Sequence, residues 1–147
     1  MRLEKAAIIV VLTALVWTVP AIASGQGFKV VVNDTNSSET ISKQQLENIF
    51  MKKMNTWNNG QPVIPVDQTA ASNTRNGFSK VIFGRDTSAI KSYWQRQIFS
   101  GRGVPPPEKA SDEEVLAFVR VNSGAIGYVS SDASVGSGVK VLEISNK

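Results

Sequence analysis

Short runs of β-branched residues alternate along this chain with amphipathic segments that open on good capping residues, and that alternation restricts the fold to the α/β class. Phe28-Lys29-Val30-Val31-Val32 reads as a strand, and Asn33 to Thr40 as a polar loop. Ser42 is then a favourable N-cap. Gln45 completes a capping box, and Ile41 and Leu46 have the spacing of a hydrophobic staple. Leu46, Ile49 and Phe50 form the apolar face of that first helix, which fails near Asn55, before the turn Trp57-Asn58-Asn59-Gly60. A second strand, Val63 to Val66, contains Pro65 and therefore belongs at a sheet edge or a strand end. A second helix is expected from about Thr74 to Phe83. A third, capped by Thr87, turns Ile90, Tyr93, Trp94 and Ile98 toward the core. Gly101, Gly103 and Pro105-Pro106-Pro107 exclude regular structure. Ser111 and Glu114 form another capping box, opening a helix whose Val115, Phe118 and Val119 face inward, and Ala125 to Val129 and Val139 to Ile144 are the last strands. The order β-α-β-α-α-α-β-β predicts a small sheet covered by helices.

The N-terminus has a different character. Arg2 and Lys5 precede the apolar run Ala6 to Val19, Pro20 interrupts it, and Ala21-Ile22-Ala23 carries small residues where a signal peptidase reads. The run has 14 residues, well below the roughly 20 that cross a bilayer. Residues 1–23 are thus expected to be a signal peptide cleaved after Ala23. Residues 24–147 then form one domain of 124 residues in the periplasm. No cysteine is present, so packing alone must hold the domain together in an oxidising compartment.

Composition narrows the chemistry. Of 16 basic and 12 acidic residues, the leader removes Arg2, Lys5 and Glu4, leaving 14 and 11 and a net charge of +3. The basic residues are dispersed, with Lys52-Lys53 the one adjacent pair in the mature part, which is no footprint for nucleic acid. Histidine is absent. That removes Ser-His-Asp and Cys-His nucleophiles and zinc sites built from His and Cys. No spacing of carboxylates suggests a hydrolase. The expectation is a protein that is not an enzyme and carries no metal or other cofactor.

One constellation has a mechanism. Ala71-Ser72-Asn73-Thr74-Arg75 lies between a strand end and a helix start, where the first N–H groups lack partners and the helix dipole is positive. Two hydroxyls and a guanidinium there suit a tetrahedral oxyanion, and the same residues equally suit a plain helix cap. Asn33-Asp34-Thr35-Asn36, directly after the first strand, is a weaker candidate that reads first as a surface loop.

A wider pattern runs through these pieces. It begins at Ile41-Ser42 and Leu46-Glu47-Asn48-Ile49-Phe50, passes Trp57, Asn59-Gly60, Ile64 and Val66, and reaches Ser72, Thr74 and Phe78. It continues through Tyr93-Trp94, Phe99, Gly101 and Gly103 to Glu114-Val115-Leu116, Val119 and Gly124-Ala125-Ile126-Gly127-Tyr128-Val129. Over these roughly ninety residues the chain resembles the phosphate-binding members of the periplasmic substrate-binding protein superfamily. The resemblance implies an α/β domain equivalent to a single lobe of the periplasmic binding protein type. It also implies a binding module for phosphate or a similar oxyanion that serves a transporter or sensor of the membrane. In the family a Ser-Gly-Thr turn contacts the anion, with an arginine four residues before the serine. Here the turn is Ser72-Asn73-Thr74, Gln68 stands at the arginine's place, and Arg75 follows the turn. Ser72, Asn73, Thr74 and Arg75 are therefore the expected phosphate-binding residues. The alternative function is a structural or adaptor domain of the cell envelope that keeps the lobe fold without high-affinity ligand binding.

Export should leave a chain that begins at Ser24. Intact-mass measurement of the exported protein checks this, and a membrane-retained chain starting at Met1 would refute it.

Overall fold

A computed structural model describes residues 27–146; the expected leader, residues 1–23, lies outside the described residues. The central strand is β1, Phe28–Asn33. Its neighbours come from the far end of the sequence: β6, Ala125–Ser130, on one side and β7, Val139–Ser145, on the other, both antiparallel to it. β2, Thr40–Ser42, adds to β7 in parallel, and β3, Ile64–Pro65, adds to β6 in parallel. The sheet order is β2-β7-β1-β6-β3. Four strands thus share one direction, and β1 alone opposes them. Pro65 sits on an edge strand, where its missing N–H breaks no ladder.

Alternation along β1 divides the core. Phe28, Val30 and Val32 join Ile126, Tyr128 and Leu142 on one face, under α1, Lys43–Phe50, and α2, Asn73–Phe78. Val31 joins Val66, Val129 and Val139 on the other, under α4, Asp112–Val121, through Val115, Leu116 and Val119. A strand covered on both faces reads as a continuous apolar run, which is what Val30-Val31-Val32 is. α1 begins as its sequence requires: the Ser42 side chain accepts from the Gln45 N–H at 3.1 Å, and the Gln45 side chain accepts from the Ser42 N–H at 2.9 Å.

Several expectations need correction. Thr40 does not end a loop but opens β2, a strand too short to carry its own periodicity. The second helix is α-helical only to Phe78. Ser79–Phe83 is π-helical and ends at Gly84 in the left-handed conformation. α3, Thr87–Phe99, is capped by Asp86, whose carboxylate accepts from the Ala89 N–H at 2.8 Å. Thr87 is instead buried and donates to the Asn76 side chain. Ile90 and Trp94 pack inward, but Ile98 is exposed. At α4 the Ser111 hydroxyl accepts from the Glu114 N–H, while Glu114 reaches back to the Ala110 N–H rather than to that of Ser111.

Two glycines fix how closely the layers approach. A Cβ at Gly124 would lie 2.1 Å from the Pro62 carbonyl oxygen, and one at Gly127 would lie 2.8 Å from Cγ1 of both Val115 and Val66. Gly127→Ala is expected to destabilise the domain by about 1–3 kcal/mol, the usual cost of overpacking. Urea denaturation checks this; an unchanged midpoint would mean that α4 and β6 have slack between them.

Candidate functional site

The carboxyl ends of the four co-directional strands bring α2 and α4 together at their N-termini. After β3 the chain passes through β4, Asp67–Gln68, which pairs in parallel with β5, Glu108–Lys109. It then turns at Thr69–Ala71 into α2. Ser72 is the N-cap: its hydroxyl accepts from the Arg75 N–H at 3.2 Å and donates to Gln68 Oε1 at 2.5 Å. Gln68 Nε2 donates onward to Asp112 Oδ1 at 2.8 Å and to the Tyr128 carbonyl at 3.0 Å. One neutral side chain thus ties the start of α2 to the start of α4.

Beneath the turn lies a buried polar network. Asp67 accepts from the Gln68 N–H at 2.8 Å and from the Tyr128 hydroxyl. Arg75 sits with Nη2 3.5 Å from Asp67 Oδ2 and Nη1 2.6 Å from Glu108 Oε1, and it also donates to the Gln68 carbonyl at 2.7 Å. Arg75 is 4% exposed, so its guanidinium points into this network and not to solvent. Burial pushes the Asp67 carboxyl above its usual range; the Arg75 charge, the Tyr128 hydroxyl and the Gln68 N–H pull it back without cancelling the effect. Burial alone would lower Arg75, but Asp67 and Glu108 outweigh it and raise the guanidinium further. Burial and the neighbouring Asp67 push the Tyr128 phenol well up, so it stays a neutral donor.

The structure separates the four expected site residues into two groups. Ser72 and Arg75 are engaged with Gln68, Asp67 and Glu108. Asn73 is exposed and Thr74 is half-buried. The N–H groups of Asn73 and Thr74, first in α2, have no carbonyl within the helix to bond. No acidic residue occupies the first turn of α2, whereas α4 opens on Asp112, Glu113 and Glu114. An open cleft of about 450 Å³ flanks the turn, lined by Ala70, Asn76, Asp86, Thr87, Ser88 and Lys91. The second candidate is structural: the Asn33 side chain donates to the carbonyls of Val119 and Arg120 at the end of α4 and accepts from Thr35. It also lies at the end of β1 remote from Ser72. Sequence reasoning missed Asp67, Glu108 and Tyr128. The one available signal was a carboxylate placed directly after the apolar strand residue Val66. Among the described residues no group of His, Cys, Asp and Glu could hold a metal ion.

The family described as the PBP superfamily domain matches residues 15–143. The chain belongs to this family. No curated protein matches the sequence. Among solved structures it is similar to an ABC-type phosphate transport receptor from Vibrio cholerae, at 23% identity and a TM-score of 0.63, over 80% of this chain and 46% of that one. A substrate-binding protein from Clostridium perfringens, assigned to a phosphate ABC transporter and solved with bound phosphate, gives 18% identity and a TM-score of 0.61 over 80% and 44%. PstS from Borrelia burgdorferi gives 15% and 0.57 over 82% and 48%. The fold is therefore an α/β lobe of the periplasmic binding protein type, its mixed sheet covered by helices. The chain spans less than half the length of these structures.

Asp67 supplies a pH test. A carboxyl raised by folding contributes stability that is present below its unfolded value, about 3.9, and is lost as pH rises through the folded value. Relative to Asp67→Asn, the native chain should therefore lose stability between pH 4 and pH 7. Urea midpoints of both proteins at the two pH values measure this; a gap that holds constant or moves in favour of the native chain would show that Asp67 is not raised.

Proposed function

We propose that this domain binds phosphate or a similar small oxyanion at the N-terminus of α2, in the periplasm, on behalf of a membrane transporter or sensor. The observation that carries the reading is the start of α2 itself: two backbone N–H groups without helical partners, a threonine hydroxyl, a positive dipole end and no acid in the first turn. The likeness to solved phosphate receptors supports the class of ligand. The Asn73 and Thr74 N–H groups and the Thr74 hydroxyl donate directly to the anion. Ser72 joins them by turning its hydroxyl away from Gln68. Arg75 acts from below, holding Gln68 and the turn in place and lending its charge at longer range. The domain covers 46% of the Vibrio cholerae receptor, so full enclosure of the anion requires a surface from outside it. Localisation follows from the expected leader, and the role is one of binding without catalysis.

A second reading is favoured by one observation. The Arg75 cation faces two carboxylates, Asp67 and Glu108, so the network under the turn carries no surplus positive charge. A lobe that has settled its arginine in this way could serve as an envelope adaptor instead.

Calorimetry with inorganic phosphate separates the two. Binding should be measurable, and Thr74→Ala should weaken it at least about tenfold, the low end for one hydrogen bond to a charged group. The melting temperature should hardly move, because Thr74 is not the cap. Ser72→Ala should in addition cost about 1 kcal/mol of stability through loss of the cap. No heat and no melting shift at millimolar phosphate would sink the binding reading and leave the adaptor.

A further inference from the structure

Only the first half of α3 is fastened to the domain. Thr87, Ile90 and Trp94 are its buried residues, with Met51 and Phe83 packed around the last two. Beyond Trp94 the helix leaves the body, with Gln95, Arg96, Ile98 and Phe99 exposed. Phe99 is 92% exposed, Ile98 51%, and Val104 in the following loop 61%. A single exposed hydrophobe has no meaning, but three at one tip do. The return path is shaped by Gly101 in the left-handed conformation and by Pro105-Pro106-Pro107. Between Asp86 and Glu108 there is no acidic residue, while Lys91, Arg96 and Arg102 are all cations, giving this segment a charge of +3.

We propose that the tip of α3 docks on an anionic lipid surface. Phe99, Ile98 and Val104 enter the interfacial layer, and Arg96 and Arg102 meet lipid phosphates. Ile98, Phe99 and Val104 stand exposed at the tip, and a bilayer accepts protruding side chains without a complementary pocket. A second copy of the chain docked tip to tip would set Arg96 and Arg102 against their own counterparts, whereas an anionic surface complements them. The inference stands apart from the anion site and does not depend on it.

The test needs a local readout, because the apolar run Ala6 to Val19 could itself hold a full chain on vesicles. The chain has no cysteine, so Ser100→Cys and, as a distant exposed control, Ser134→Cys can each carry one polarity-sensitive fluorophore. With vesicles containing 30% phosphatidylglycerol, emission from position 100 should shift to the blue while position 134 stays unchanged. Ile98→Ser with Phe99→Ser should abolish the shift. Arg96→Gln with Arg102→Gln should raise the lipid concentration for half-maximal shift more than about tenfold, each cation near an anionic surface contributing about a factor of five. Four results would overturn the proposal. One is no shift at position 100 with anionic vesicles. Another is an equal shift with pure phosphatidylcholine, which would remove the role of charge. A third is an equal shift at both positions. The last is a shift without lipid that grows with protein concentration, which would make the occupant a second copy.

Discussion

Tyr128 joins the two halves of this molecule, the apolar core and the polar network, within one side chain. Its ring stacks on Phe78 with centroids 3.9 Å apart and planes 6° from parallel, and Phe28 and Phe50 pack around the pair. Its hydroxyl leaves the core at the end of β6 and donates to Asp67. An aromatic side chain that buries its body while its tip finds a polar partner is a stable arrangement. Here it does more than pack. The ring fixes the position of α2 through Phe78, and the hydroxyl fixes Asp67, which in turn receives Arg75 from the same helix. α2 is thus held at both its apolar and its polar side by one residue of the sheet.

That double attachment explains why the network under the turn can exist. A buried carboxylate and guanidinium are costly unless their remaining hydrogen-bonding capacity is filled. Asp67 has the Gln68 N–H and the Tyr128 hydroxyl, and Arg75 has Glu108 and the Gln68 carbonyl. Among the described residues no buried side-chain nitrogen or oxygen lacks a partner. Gln68 extends the arrangement to Asp112, so two helices on opposite faces of the sheet share one set of hydrogen bonds at its edge.

The sequence made the local features legible and hid the long-range ones. Ser42 with Gln45, and Pro65 in an edge strand, were readable because their causes lie within a few residues. So was the turn at Ser72, as a helix start. Arg75 was not: nothing near it distinguishes an arginine in a first helical turn that faces water from one that folds under it. Its direction is set by Glu108, 33 residues away, and by Asp67. Tyr128 meets Asp67 across 61 residues and Gln68 meets Asp112 across 44. Periodicity cannot see such pairings. β2, β4 and β5, at two or three residues each, are shorter than the two-residue period needs to show itself. Ile98 matched the helical spacing of Ile90 and Trp94, yet the body of the domain ends before α3 does.

The placement of β1 has a consequence for how the molecule comes into being. The first strand of the described domain is the middle of the sheet, and both its neighbours lie about a hundred residues downstream, β6 beginning at Ala125 and β7 at Val139. A chain emerging N-terminus first from a ribosome can form α1 and its cap early. Until Ala125–Ser130 has emerged, however, it has nothing to lay beside Phe28–Asn33. Contacts of such sequence separation make folding slow and late. The topology therefore keeps the chain open until β6 and β7 are available, and a chain cut short before Ala125 has no centre to fold around.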